Sequence, residues 1–199
     1  MHTEEALYKG CRKYDKRTQK QAYEAYASMM RGVCYRYAQN DEEISDILQE
    51  GFVKIFVNIR SFVWKGKGSF LAWMKTVMIN TAITYYHKQK KFRKEISYQA
   101  GDIDEEKNEN LAQLENNLGY DTNDIIDSRR FSEEEIMYLL KTVPEDFRIV
   151  FNLYVIEGYS HKEISQLLNI KDETSRTRLL RAKNILKNEL LRIENQRLQ

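Results

Sequence analysis

The chain is predicted to be all-α, with two small helical domains joined by a flexible acidic linker. It has one Pro and eight Gly among 199 residues, and little alternation of apolar and polar residues, which favours helices over strands. Apolar residues recur every three to four positions in both terminal parts of the chain and are sparse between them. We therefore expect domains over residues 1–96 and 133–199 and a linker over residues 97–132.

The charge is divided into three blocks, although the net charge is only +2. Residues 1–96 carry 18 Lys and Arg against 10 Asp and Glu, and residues 97–135 carry 3 against 12. Residues 136–199 carry 11 against 8. Two basic blocks that flank an acidic one are typical of polyanion-binding domains joined by a solvated segment.

Neither a membrane span nor a secretory signal is predicted. The longest apolar runs fall short of the roughly 18 residues that a transmembrane helix needs, and the N-terminus lacks a basic stretch followed by an apolar one. We expect the protein in the cytoplasm, without membrane insertion. There, Cys11 and Cys34 are expected to be reduced and structural.

Three helices are predicted in the first block. The first spans residues 21–37, and the second begins at a cap formed by Asn40 and Asp41. A loop over residues 61–69 precedes the third helix, which covers about residues 70–91. The apolar stripe of the second helix consists of Ile44, Leu48, Phe52, Ile55 and Ile59. The apolar face of the third consists of Phe70, Trp73, Met74, Val77, Met78, Ala82 and Tyr85.

The last block has the pattern of a helix-turn-helix. Pro144 suits the first turn of a helix whose buried face is Phe147, Val150, Phe151 and Tyr154. Gly158 stands where a left-handed C-cap belongs, and Ser160 with Glu163 forms a capping box for the next helix. Residues 169–171 are the turn, and Asp172 can cap the final helix.

The final helix is basic, and a short turn followed by a basic helix is the shape that enters a DNA major groove. Arg side chains bond guanine edges there, and hydroxyls near the helix start reach bases or phosphates. A solvated basic helix is the plainer alternative, but cap, Gly, turn and basic helix occur in register. The candidate DNA contacts are Ser160, Thr174, Ser175, Arg176, Thr177, Arg178 and Arg181.

A second polar surface is predicted on the helix that follows Asn40. Asp46, Gln49 and Glu50 share one face, opposite the apolar stripe. On spacing alone, a solvated face is favoured over a metal site, because two carboxylates without a His are too few ligands.

A third surface interleaves aromatic rings with Lys over residues 62–70. This composition suits single-stranded DNA, since bases stack on rings while cations follow phosphates. Phe70 and Trp73 are expected in the core. The candidate contacts are three loop residues and a polar stripe on the next helix: Trp64, Lys65, Lys67, Thr76, Asn80, Thr84, His87 and Lys91.

Together these segments resemble a bacterial RNA polymerase sigma factor of the extracytoplasmic-function group, in the sigma-70 family. Residues 46–56 resemble region two-point-two, and residues 62–94 resemble regions two-point-three and two-point-four. The final block resembles domain four at Leu140, Pro144, Arg148, Glu157, Gly158, Tyr159, Ser160, Glu163, Ile164, Thr174, Arg181, Ala182 and Lys183. The chain departs from the family pattern at Thr84, His87, Glu173 and Ser175.

The resemblance implies that different parts of the chain bind the polymerase and the two promoter elements. Docking on the beta-prime clamp of core RNA polymerase would use Asp46, Gln49, Glu50, Phe52, Val53 and Phe56. The loop and the stripe after it would open and hold the minus-ten element, and the final helix would read the minus-thirty-five element. The beta flap of the polymerase, promoter DNA and an anti-sigma factor are the implied partners. No catalytic residue, metal or cofactor is implied, because the polymerase performs the chemistry.

Two other functions remain open from the sequence. One is a stand-alone helix-turn-helix regulator, which would bind duplex DNA without polymerase. The other, weaker one is a metal-dependent enzyme that uses Asp46 and Glu50. The acidic linker is expected either to occupy the RNA channel of the polymerase or to fold back and screen the basic domains from DNA.

Overall fold

The computed structural model describes residues 3–100 and 132–197, and the regular elements in these two ranges are all helical. The chain divides into two compact units, Met1–Gln89 and Lys90–Gln199. The predicted all-α class with two helical domains is confirmed. Most of the predicted linker, residues 101–131, lies outside the described residues.

Four helices and one short 3-10 turn make up the first part of the chain. They are α1 (Glu4–Arg12), α2 (Lys16–Tyr37), α3 (Asp41–Asn58), the 3-10 turn Ile59–Ser61 and α4 (Ser69–Ala100). The side chains of Thr3, Asp15 and Asn40 accept hydrogen bonds from backbone amides at the starts of α1, α2 and α3. Helix α1 is an addition to the three predicted helices, and α4 continues past its expected end near residue 91.

The core of the first unit forms between α2, its neighbours α1 and α3, and the inner side of α4. The predicted apolar stripe of α3 is buried along its whole length. The inner side of α4 is wider than predicted, because Ile79, Thr81, Ile83 and Tyr86 are buried as well. Tyr85, which was expected inside, is partly exposed beside the buried Tyr86.

A glycine in the middle of α3 permits close packing against α4. A Cβ atom added to Gly51 would overlap the side chain of Met78, which is fully buried. Glycine normally costs about 1 kcal/mol in a helix relative to alanine. Here it leaves room for a larger side chain from the neighbouring helix.

Both cysteines are free and buried in this core. Burial raises the pKa of the Cys11 thiol to about 11, with a smaller contribution from Asp15. Burial likewise raises the pKa of Cys34 to about 12. Both thiols are therefore protonated at neutral pH.

The second unit holds the helix-turn-helix. Its helices are α5 (Glu133–Thr142), α6 (Glu145–Phe151), a π-helical turn (Asn152–Ile156), α7 (His161–Leu168) and α8 (Asp172–Arg197). Helix α8 packs against α5, α6 and α7. Its inner side buries Leu179, Ala182, Leu186 and Leu190.

The capping signals at Gly158 and at Ser160 with Glu163 are confirmed. Gly158 has a φ of +77° just after the π turn, and Ser160 and Glu163 form both bonds of the capping box. Asn169 ends α7 in the left-handed conformation. The prediction for Asp172 was wrong: it is the first residue of α8, and its carboxylate accepts hydrogen bonds from Arg176 instead.

The π turn changes which residues are buried after α6. A π turn holds more residues than an α turn, so it shifts the phase of the residues that follow. Leu153 is therefore fully buried, and Tyr154, predicted inside, is 39% exposed. Val155 and Ile156 are exposed beside it.

We predict that Phe70→Ala destabilises the first unit by about 3–5 kcal/mol, because it empties a fully buried aromatic site. Trp64 and Trp73, the two tryptophans of the chain, lie in this unit, so urea unfolding followed by tryptophan fluorescence measures its stability. Val63→Ala is the control, since Val63 is 67% exposed. Equal midpoints for the two variants would contradict the prediction.

Candidate nucleic-acid interface

The outer side of α3 combines carboxylates with exposed valines. Asp46, Gln49 and Glu50 are exposed, and Val53 and Val57 continue the same stripe at 60% and 64% exposure. We call these five residues the α3 surface. Glu50 forms an ion pair with Lys54 at 2.7 Å. An exposed apolar stripe beside carboxylates is more typical of a protein-binding surface than of a purely solvated face.

Phe52 does not lie on the α3 surface. It is only 3% exposed, and its ring packs against Tyr23 at 4.7 Å and Phe56 at 5.9 Å between centroids. The prediction that Phe52 contacts a partner directly is therefore corrected: its side chain faces the core, in phase with Leu48 and Ile55. Phe56 is half-buried. The sequence-based prediction omitted Val57, which the spacing from Val53 would have revealed.

The loop between the 3-10 turn and α4 holds an aromatic cluster. The ring of Trp64 is half-buried and stacks on Tyr8, with centroids 5.6 Å apart and planes inclined by 18°. Phe70 is fully buried, as predicted, and Trp73 is half-buried against Phe62 at 5.1 Å. Lys65 and Lys67 are exposed on the same loop.

The polar stripe of α4 lies on the side opposite its buried face. Thr76, Asn80, Thr84 and Lys91 are exposed, and His87 is half-buried. The hydroxyl of Thr76 donates to the carbonyl of Ala72 at 3.1 Å, and that of Thr84 donates to the carbonyl of Asn80 at 2.8 Å. Both hydroxyl oxygens keep a lone pair that faces outward as an acceptor.

In the second unit, the exposed start of α8 presents polar side chains. Arg176 is exposed, and Thr174, Thr177 and Arg181 are half-buried. The guanidinium of Arg176 donates to Asp172 at 2.9 and 3.2 Å. The guanidinium of Arg181 lies 5.6 Å from the ring centroid of Phe147. Ser160 is exposed, with its hydroxyl engaged in the capping box.

Two predicted DNA contacts lie inside the second unit instead. Ser175 is fully buried and Arg178 is 8% exposed. The Arg178 guanidinium forms an ion pair with Asp146 at 2.8 Å. Both residues share the inward helical phase of Leu179 and Ala182, a periodicity that the sequence already contained. Their predicted role as direct contacts is corrected accordingly.

The buried Ser175 has a polar partner, the half-buried His161. Its hydroxyl shares a hydrogen bond of 2.9 Å with Nδ1 of His161, the first residue of α7. The other side of the imidazole stacks on Tyr154 at 4.4 Å. Burial lowers the pKa of His161 below its ordinary value of 6.5, and the nearby Arg176 lowers it further. The sequence gives no signal of this contact, because His161 is an isolated histidine and its partner lies 14 residues away.

The part of the chain that the structure describes contains neither a metal site nor a membrane span. Within residues 3–100 and 132–197, no three His, Cys, Asp or Glu side chains come together as a metal site would require. In the same ranges, no helix combines the length and apolar character needed to cross a membrane.

The sequence matches two family descriptions in succession, "Sigma-70 region 2" over residues 22–92 and "Sigma-70, region 4" over residues 133–186. It is 25% identical to the ECF RNA polymerase sigma-E factor of Haemophilus influenzae over 200 aligned positions, covering 94% of this chain and 95% of that protein. The chain belongs to the sigma-70 family. The sigma-E factor of Escherichia coli strain K12 is also 25% identical, over 94% of each chain.

One solved structure is also similar to this chain, at a lower sequence identity than the two sigma-E factors. It is the sigma factor RpoE from Bartonella quintana in complex with the anti-sigma factor NepR, with a TM-score of 0.47 and 19% identity. The alignment covers 87% of this chain and 96% of that one.

The candidate surfaces lie within the two family matches of this sigma-70 chain. The region 2 match includes the α3 surface, the aromatic loop and the α4 stripe. The region 4 match includes α7 and the exposed start of α8. Helix α1 lies before both matches.

We predict that acid weakens the second unit through His161. Because the folded pKa lies below the unfolded one, the unfolded chain binds more protons as the pH falls below about 6.5. The stability of wild type should decrease there relative to His161→Gln, with the pH-dependent difference absent above neutrality. Hydrogen exchange of α7 and α8 amides, corrected for intrinsic rates, measures the effect. Parallel pH profiles for the two proteins would contradict it.

Proposed function

We infer that this chain is a sigma factor that binds core RNA polymerase and directs promoter-specific, DNA-templated initiation of transcription. The observation that carries this function is the occurrence of sigma region 2 and sigma region 4 on one chain, in that order. Proteins named as sigma-E factors align with 94% of its length. The stand-alone regulator is less favoured, because it leaves the region 2 match and the α3 surface without a role.

Each part of the chain is proposed to have a separate task. Residues 1–96 dock on the polymerase and open the minus-ten element, residues 97–132 link the domains, and residues 133–199 bind the minus-thirty-five element. The polymerase performs the covalent chemistry, in the cytoplasm. An anti-sigma factor is a further proposed partner, as the family resemblance implies.

The α3 surface is the proposed docking site for the beta-prime clamp. Asp46, Gln49 and Glu50 supply charge and hydrogen bonds. Val53 supplies exposed apolar surface that a partner would bury. Phe56 borders this surface, and Phe52 supports it from the core. The beta flap is proposed to contact the second unit.

The minus-ten element is proposed to lie along the aromatic loop and the α4 stripe. Trp64 offers the ring face that Tyr8 does not cover for stacking with an unpaired base. Lys65 and Lys67 are exposed beside it for phosphates. Asn80 and the outward lone pairs of Thr76 and Thr84 provide hydrogen-bonding groups along the helix. His87 and Lys91 continue the same stripe toward its C-terminal end.

The minus-thirty-five element is proposed to contact Ser160, Thr174, Arg176, Thr177 and Arg181. The side chains of Thr174, Arg176, Thr177 and Arg181 are exposed or half-buried around the outer side of α8, and that of Ser160 is exposed just before α7. Ser175 and Arg178 would act indirectly, because their bonds to His161 and Asp146 hold α8 against α7 and α6.

We predict that Asp46→Lys with Glu50→Lys lowers the affinity for core RNA polymerase at least about tenfold, because like charges replace a complementary surface. The matched control is Glu5→Lys with Glu24→Lys. Both glutamates are exposed, and each pairs with a lysine on its own helix, as Glu50 does. The change in net charge is identical, because two carboxylates become lysines in each double variant.

Binding of labelled chain to purified core polymerase is the measurement. Equal losses in both double variants would indicate a general charge effect and reject the α3 surface as the docking site. If wild type, shown to be folded, binds duplex DNA but not core polymerase, the sigma-factor function itself fails and the stand-alone regulator takes its place.

We predict that Arg176→Ala weakens recognition of the upstream element by about 1–3 kcal/mol, the value of one specific arginine contact to a base. The target is a promoter selected from randomised duplexes by the wild-type holoenzyme. Arg192→Ala is the control, because Arg192 lies on the same helix, is exposed and also pairs with an acidic neighbour. Equal promoter affinities for the two variants would remove Arg176 from the proposed contact set.

A further inference from the structure

Helix α1 makes a set of contacts that converge on the aromatic loop. The carboxylate of Glu4 accepts a hydrogen bond from the backbone N–H of Gly68 at 2.5 Å and another from that of Leu71 at 3.0 Å. These amides lie at the N-terminal end of α4, where the helix dipole and unpaired N–H groups favour an anion. Glu4 thus caps α4 from a position more than 60 residues away in the chain.

Tyr8 holds the other end of the same loop. Its hydroxyl donates to the carbonyl of Phe62 at 3.2 Å, and its ring stacks on Trp64. The guanidinium of Arg12 donates to the Tyr8 hydroxyl at 2.6 Å, which fixes the phenol from behind. Tyr8 is only 4% exposed, and its hydrogen bond to Phe62 is buried.

Between these two attachments the loop has little internal structure. Gly66 and Gly68 have φ values of +107° and +88°, conformations that favour glycine. The hydroxyl of Ser69 donates to the carbonyl of Gly66 at 2.6 Å and accepts from the amide of Lys65 at 3.2 Å. These bonds close the turn locally, but they do not attach it to the rest of the unit. Phe62 anchors the start of the loop on Phe70 and Trp73, and Glu4 and Tyr8 attach the loop to α1.

We propose that α1 is a positioning element for the DNA-contacting loop, with Glu4 and Tyr8 as its positioning residues. Glu4 satisfies the amides of Gly68 and Leu71 with an internal carboxylate. A phosphate of the separated strand is thereby excluded from the helix end and directed to Lys65 and Lys67. Tyr8 keeps one face of Trp64 covered, so that an incoming base has one defined surface to meet. This inference rests on the proposed function of the loop, and it assigns a task to a helix that precedes both family matches.

The first test reads the loop directly, in the free chain. In a Trp73→Phe background, Trp64 is the single tryptophan, and its quenching by acrylamide reports how well Tyr8 covers it. Glu4→Ala and Tyr8→Leu should each increase the quenching constant at least about twofold, while Glu4→Gln, which keeps an acceptor, should change it less. Glu5→Ala is the matched control, because Glu5 is an exposed neighbour that pairs with Lys9 at 2.6 Å.

The second test measures the consequence for the holoenzyme. On a promoter selected from randomised duplexes by the wild type, Glu4→Ala should slow open-complex formation about tenfold, the factor that corresponds to one charge-assisted hydrogen bond. Affinity for core polymerase should be unchanged in all these variants, since α1 does not carry the α3 surface. Circular dichroism and unfolding midpoints identify any variant whose defect is a general loss of structure.

The possible results distinguish failure of the positioning role of α1 from failure of the proposed sigma-factor function. Unchanged Trp64 quenching in folded Glu4→Ala and Tyr8→Leu overturns the positioning role. Faster opening or tighter DNA binding by Glu4→Ala also overturns it, because Glu4 would then compete with a phosphate for the helix end. If wild-type chain fails to bind core polymerase while the quenching differences persist, the sigma-factor function fails and the structural coupling of α1 to the loop stands.

Discussion

The burial of one side of α4 determines the direction of the polar side chains on its other side. Phe70, Met74 and Met78 are fully buried along that side, and Gly51 of α3 admits Met78 where any other side chain would overlap it. Because a helix is rigid at this length, fixing its inner side also fixes the direction of Thr76, Asn80 and Thr84 on the outer side. The candidate DNA contacts are therefore oriented by apolar packing on the far side of the helix.

Among the described residues, the interior of the second unit contains more buried polar side chains than that of the first. Ser175 bonds to His161, and Arg178 to Asp146, at positions where α8 meets its neighbours. Hydrogen bonds depend on direction more strongly than apolar contacts do. The two bonds therefore specify the rotation of α8 relative to α6 and α7. The departure of Ser175 from the family pattern has a physical counterpart in this pair.

The sequence predicted features that depend on nearby residues. The apolar stripe of α3, the capping box at Ser160 and the left-handed Gly158 follow from helical periodicity and cap chemistry, and all are present. Features that depend on distant residues were missed. The π turn that exposes Tyr154 has no signature in a periodic pattern, and the contact of Glu4 with Gly68 joins parts of the chain that no local rule relates. The inward phase of Ser175 does follow from helical periodicity, because Ser175 lies four residues before the buried Leu179.

The two buried thiols have a consequence for chemical sensing. Nucleophilic attack on peroxide or an alkylating reagent requires a thiolate that solvent can reach. Cys11 and Cys34 are both fully buried, and burial raises the pKa of each far above neutrality. The folded first unit is therefore inert to oxidants at these two positions. Labelling of either cysteine would report that the unit has opened, so the pair serves as an internal gauge of unfolding, with no reagent needed beyond a thiol-specific dye.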